Sequence, residues 1–149
     1  MAHMGGSASA EIDAPLDAVW AVVEDVLIAP DWQGGLVAIT PLERDSEGRP
    51  TLVESESDVK VRRVKTRVRF SYEAPTRLSW TQEKGDLKSV DGSWTLEDLG
   101  EGRTRVTYAL DSDPGRVLGM LLRGPVEAAV MAMLVNARPG ELKARVERG

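Results

Sequence analysis

The 149-residue chain has no cysteine and a single histidine, His3. Without cysteine there can be no disulfide, no thiolate nucleophile and no thiolate metal site. His3 lies within residues 1–6 (MAHMGG), which read as a start residue and cloning remnant and are expected to be irregular. The domain itself, residues 7–149, therefore offers no imidazole for a triad, a general base or a zinc site. Any catalysis must rest on carboxylates, Lys, Arg, Tyr or hydroxyls, and neither a metal nor a cofactor is expected.

Long hydrophobic runs are missing as well. The longest uncharged apolar stretch, Ala128–Val135, falls far short of the roughly 20 residues that span a bilayer. No signal peptide is visible, so the expectation is a soluble, cytoplasmic protein with no stable membrane insertion. Positive charge is also in deficit: 19 Lys and Arg against 24 Asp and Glu give a net charge of −5, which argues against nucleic acid as a partner. What is present is ordinary for a globular chain. A content of 42% hydrophobic and 29% charged residues excludes wholesale disorder, and the length suits one domain with one core.

Residues 7–13 alternate as a short strand, with Ala8, Ala10 and Ile12 on one side. Pro15 suits a first helical turn, and Leu16, Val19, Trp20 and Val23 follow at helical spacing. Pro30 and Gly34-Gly35 then leave a short helical turn and a loop carrying Trp32. From Leu36 to Asp111 the helical period gives way to six strands separated by turn signals. The clearest strand sets Val64, Thr66, Val68, Phe70 and Tyr72 against Lys65, Arg67, Arg69 and Ser71. The last third returns to a helix expected over Gly115–Arg148, bent near Pro139. Its inner stripe is assigned to Leu121, Pro125, Ala128, Ala132, Val135, Leu142 and Val146, and its outer stripe to Arg123, Glu127, Val130, Leu134, Arg138, Glu141 and Arg145. An antiparallel sheet with one apolar face must be covered, and only this helix is long enough to cover it. The fold class is α+β: a seven-stranded curved sheet around a long C-terminal helix, with two short helices after the first strand.

Three stretches carry a resemblance to a known family. They are Ala10-Glu11-Ile12-Asp13-Ala14-Pro15 with Val19-Trp20, the Trp32 loop with its glycines, and Asp91-Gly92-Ser93-Trp94-Thr95-Leu96 before Gly102–Thr107. The ending Leu142–Glu147 adds to them. Together they resemble the START-like superfamily in its polyketide cyclase/dehydrase and lipid-transfer branch, the helix-grip fold. That resemblance implies a cavity between sheet and last helix that takes lipids, polyketides, quinones or similar molecules. It implies no universal catalytic set.

Spacing alone leaves Ala128 and Ala132 open to two readings, close helix–sheet packing or room for a ligand. The resemblance implies the second. Its ligand-facing candidates are Trp32, Val64, Thr66, Val68, Phe70, Trp80, Trp94, Leu96, Tyr108, Leu121, Pro125, Ala128, Met131, Ala132 and Val135. Strand Thr51–Asp58 (TLVESESD) is polar on both faces, either lining a polar cavity or projecting past the helix. The leading expectation is a binder or carrier of a hydrophobic small molecule, as a monomer or weak homodimer. One alternative is a cyclase, aromatase or dehydratase using Glu54, Glu56, Tyr72 or Tyr108 for proton transfer. A second alternative is a protein-interaction module.

Overall fold

A sheet and a set of short helices build two layers in the computed structural model, which describes residues 3–148. In chain order they are β1 (Met4–Ile12), α1 (Leu16–Glu24), a 3-10 helix (Val26–Asp31), β2 (Leu36–Arg44), β3 (Pro50–Asp58), β4 (Arg63–Glu73), β5 (Arg77–Gly85), β6 (Ser89–Gly100) and β7 (Arg103–Asp113). Then come α2 (Arg116–Leu121), α3 (Pro125–Met131), a π-helical turn (Ala132–Asn136) and α4 (Arg138–Arg148). The strands form one antiparallel sheet in the order β1-β7-β6-β5-β4-β3-β2. Every pairing from β2 to β7 joins consecutive strands, and only β1 crosses the chain to reach β7.

The period of two decides which face each residue takes. On β4, Val64, Thr66 and Val68 are buried while Arg63, Lys65, Arg67 and Arg69 are exposed. Those arginines meet carboxylates of neighbouring strands: Arg63 with Glu56, Arg67 with Glu54, and Arg69 with both Glu43 and Glu83. Solvent screens such exposed pairs, so each adds little to stability. Opposite charges across strands also favour the correct register, because like charges facing one another are destabilising. β1 begins earlier than the sequence reading allows. Met4, Gly5 and Gly6 pair with Ser112, Asp111 and Leu110 of β7, and Met4 is buried, so the irregular segment does not extend over these residues. Residues 1 and 2 of that segment lie outside the described residues.

The helical layer follows the sheet from Arg116 to Arg148, but with two interruptions. Gly124, at a φ of 59°, separates α2 from α3 in a conformation that suits glycine. The π-helical turn sits just ahead of Pro139, upstream of the expected bend. A proline inside a helix lacks an N–H and crowds the carbonyl four residues back, which here belongs to Val135. Widening the preceding turn relieves that contact, and Ala137 accordingly donates to the carbonyl of Ala132, five residues back, at 3.0 Å.

This extra residue overturns the expected stripes. Projecting back from Leu142 and Val146 with a strict 3.6 period ignores it, so the assigned phase is wrong upstream of the turn. Ala128, Ala132, Pro125 and Leu121 are exposed, with Leu121 at 51%. Val130 and Arg138, assigned to the outer stripe, are buried.

Candidate functional site

Two buried clusters lie between sheet and helices without fully merging. One contains Ile12, Val19, Trp20, Leu78, Trp94, Val106, Tyr108, Val135 and Leu142; the other contains Met4, Val59, Val64, Leu118, Leu122 and Val130. A cavity of about 170 Å³ occupies the space they share. Its sheet wall comes from Ser55, Ser57, Val64, Thr66, Val68, Phe70, Leu78, Trp80, Val90, Trp94, Tyr108 and Leu110. Val23, Val26, Ala29, Trp32, Gln33, Leu36 and Ile39 form one end, while Met4, Leu122, Val130, Met131, Leu134 and Arg138 close the helical side.

Of the ligand-facing candidates, the fold brings Trp32, Val64, Thr66, Val68, Phe70, Trp80, Trp94, Tyr108 and Met131 together on this wall. Leu96 and Val135 are buried in the larger cluster, and neither reaches the cavity. Leu121, Pro125, Ala128 and Ala132 turn away from it, for the reason of phase given above. Sequence reasoning missed Val130 and Leu134 on the same account, and Arg138 because its charge set it outside although it stands four residues before the buried Leu142. Pro139 was the one signal that could have shifted the phase.

β3 resolves its ambiguity by facing its serines inward and its glutamates outward. Ser55 and Ser57 line the cavity; Glu54 and Glu56 form the exposed pairs with Arg67 and Arg63. Tyr72 is also off the wall. Its hydroxyl donates to the carbonyl of Pro50, the Arg49 guanidinium lies 4.6 Å from its ring centre, and burial pushes its pKa up to about 12. Of the four proton-transfer candidates only Tyr108 lines the cavity. Burial raises its hydroxyl above the ordinary value, while the neighbouring Arg138 charge pulls the other way. Tyr108 therefore stays protonated at neutral pH and can donate a hydrogen bond. It cannot serve as a base. The exposed Asp25 contributes the one carboxylate to the wall, from the junction after α1.

An aromatic seam runs through the wall. Trp32 and Trp94 are 6.2 Å apart, Trp94 and Tyr108 4.8 Å, Tyr108 and Trp80 5.7 Å, Trp80 and Phe70 5.8 Å. Such pairs add about 0.5–1.5 kcal/mol each beyond area burial, so this wall is stiff. It is also apolar, with each ring tilted against the next, a surface against which a ring or acyl chain can pack.

One end of the cavity is different. Arg138, only 4% exposed, donates through Nη1 to the carbonyl of Gly34 at 2.7 Å and to Glu141 Oε1 at 2.9 Å. Glu141 Oε2 accepts from the Gly34 N–H at 2.8 Å. This three-way contact ties the loop after Trp32 to α4. Among the described residues, two buried side-chain nitrogens have no hydrogen-bond partner: Trp32 Nε1 and Arg138 Nε. An orphaned buried donor costs on the order of 1–3 kcal/mol.

With this geometry in place, the comparisons with known proteins are direct. The family model described as polyketide cyclase / dehydrase and lipid transport matches residues 12–137, and the chain belongs to that family. Its fold is the START-like helix grip. A START superfamily protein from Mycobacterium smegmatis is similar at a TM-score of 0.82 and 19% identity, covering 99% of both chains. The Zhui aromatase/cyclase from Streptomyces sp. R1128 superposes at a TM-score of 0.80 and 19% identity, over 99% of this chain and 95% of that one. The di-domain aromatase/cyclase BexL of the BE-7585A biosynthetic pathway gives 0.67 and 20% identity, over 96% of this chain and 46% of that one. At such identities the likeness is one of fold. No curated protein sequence matches the chain.

Proposed function

We propose that this protein binds and carries a hydrophobic small molecule of the lipid or polyketide kind in the cavity between its sheet and its helical layer. The observation that carries this reading is the character of the wall: aromatic and aliphatic side chains from both layers, with Glu54 and Glu56 turned to the outside. Few polar groups on an apolar concave surface are what such ligands require. The volume limits the size. A cavity of roughly 150 Å³ holds benzene, and drug-sized ligands take about 300–1,000 Å³. About 170 Å³ suits a single ring or a short acyl chain. A larger molecule requires the walls to part.

The enzyme reading retains one supporting observation, Tyr108 on the cavity wall, together with the aromatase/cyclase names of two structural neighbours. A protonated Tyr108 can polarise a carbonyl, but cyclisation also needs a base. Asp25 alone is on the wall to supply one. The two readings separate by experiment. Native mass spectrometry of purified protein, followed by organic extraction, is expected to show a stoichiometric apolar compound returned unchanged after incubation. Conversion of that compound would favour the enzyme, and a protein that neither copurifies with a ligand nor takes up a single-ring apolar compound such as toluene would refute the carrier.

A further inference from the structure

We infer that the Trp32–Arg138 end of the cavity is an anchor for an anionic oxygen, so that the preferred ligand is a small apolar acid carrying a carboxylate or phenolate at one end. This rests on the carrier reading and names its ligand class.

The two orphan donors belong to side chains that the fold links through Gly34. Arg138 Nη1 is held on the Gly34 carbonyl, two residues beyond Trp32, and both side chains line the cavity. Trp32 is 92% buried and Arg138 96% buried, so bulk water does not satisfy them. The carboxylate and carbonyl acceptors beside them are taken, and the Tyr108 hydroxyl already interacts with the guanidinium. Glu141 has one oxygen on Arg138 and the other on the Gly34 N–H, and the Gly34 carbonyl accepts from Arg138. What is missing is an acceptor: both nitrogens are closed off even from the cavity that their side chains line, so a ligand oxygen reaches them when those side chains shift.

Charge points the same way. A buried guanidinium is a permanent cation with five donors, and here one half-buried carboxylate is its ion-pair partner. The Tyr108 ring, 5.9 Å from the guanidinium carbon, supplies a stacking face and no counter-charge. An anionic oxygen reaching Trp32 Nε1 and Arg138 Nε would fill both valences at once, while its apolar tail lies along Trp94, Trp80 and Phe70. A cationic end group leaves the donors unmet, and a neutral oxygen meets them without the added strength of charge.

The test is competition against the neutral probe N-phenyl-1-naphthylamine by octanoate and by 1-octanol. An apolar cavity alone disfavours the carboxylate, which must be stripped of water on entering, so any preference for octanoate reports the anchor. Octanoate is expected to bind at least about tenfold tighter than 1-octanol, in line with a charge-assisted hydrogen bond. Trp32→Phe keeps a ring but removes the N–H; it should weaken octanoate roughly three- to tenfold and leave 1-octanol unchanged. Arg138→Met should abolish the preference. Because that variant also cuts the tie to Gly34, Trp32→Phe is the decisive one. Equal binding of the two compounds, tighter binding of 1-octanol, or an octanoate preference that Trp32→Phe leaves undiminished overturns the anchor and leaves the carrier standing. If neither the probe nor either compound binds, the carrier reading fails and the anchor falls with it.

Discussion

Trp80 lies across Gly92 on the neighbouring strand, its directly paired residue in the sheet. A Cβ at position 92 would run into Cε2, Cζ2 and Nε1 of the indole, so the glycine lets this ring lie flat on the sheet and leave the cavity open. Gly92→Ala should drive the ring inward. The expected cost is about 1–3 kcal/mol of stability, as for other overpacked sites, with a loss of N-phenyl-1-naphthylamine binding. Chemical denaturation and probe titration of the same sample check both. Unchanged binding would mean that Trp80 does not set the depth of the cavity. The same residue scale explains why Arg138 was hard to read in advance. A buried arginine breaks the pattern that places charge outside, and its position became interpretable only beside Gly34 and Glu141.

At the scale of elements, the π-helical turn fixes which side chains of α3 meet the sheet. It brings Val130, Met131 and Leu134 to the cavity and leaves Ala132 in solvent. Ala132→Phe should therefore change stability by no more than about 0.5 kcal/mol and leave probe binding intact. Leu134→Trp should fill the cavity and lower probe affinity. Thermal melts and titrations of the pair test the phase of the helix, and the reverse result would restore the phase read from spacing. The strands were legible because each rests on local alternation, as in Val64–Val68, and on turn residues such as Gly100-Glu101-Gly102. The phase of the helix was not, because a single inserted residue leaves no mark on composition and rotates everything before it. β3 was readable only as a choice, since Ser55 and Glu56 are both polar and the facing is decided by Arg63 and Arg67 next door.

For the whole molecule, the outer face of the sheet is a lattice of opposite charges over an apolar interior. Arg69 holds the Glu83 carboxyl below the ordinary value of 4.5, and Lys143 does the same for Glu147. A carboxyl whose folded pKa is depressed stabilises the fold above its unfolded value and ceases to do so as pH falls through the folded one. The midpoint of thermal unfolding should thus hold steady from neutral pH to about 5 and decline as pH drops below roughly 4.5. Both groups are exposed, so the decline should shrink at 1 M salt. A melting midpoint that rises on acidification would contradict the assignment.

The pairing of β1 with β7 also imposes an order on assembly during synthesis. From β2 onward each strand can pair as soon as its successor leaves the ribosome. β1 emerges before all of them and must wait, since Ser9 meets its partner Thr107 98 residues later. Closing so long a loop makes this the slow contact of the sheet, and until it forms the strand carries open backbone donors and acceptors. Met4 then has no place on the wall, and α3 and α4 lack the strand on which they pack most. A nascent chain therefore holds no ligand. The pocket comes into being in one late step, when the strand made first and the helices made last close on each other.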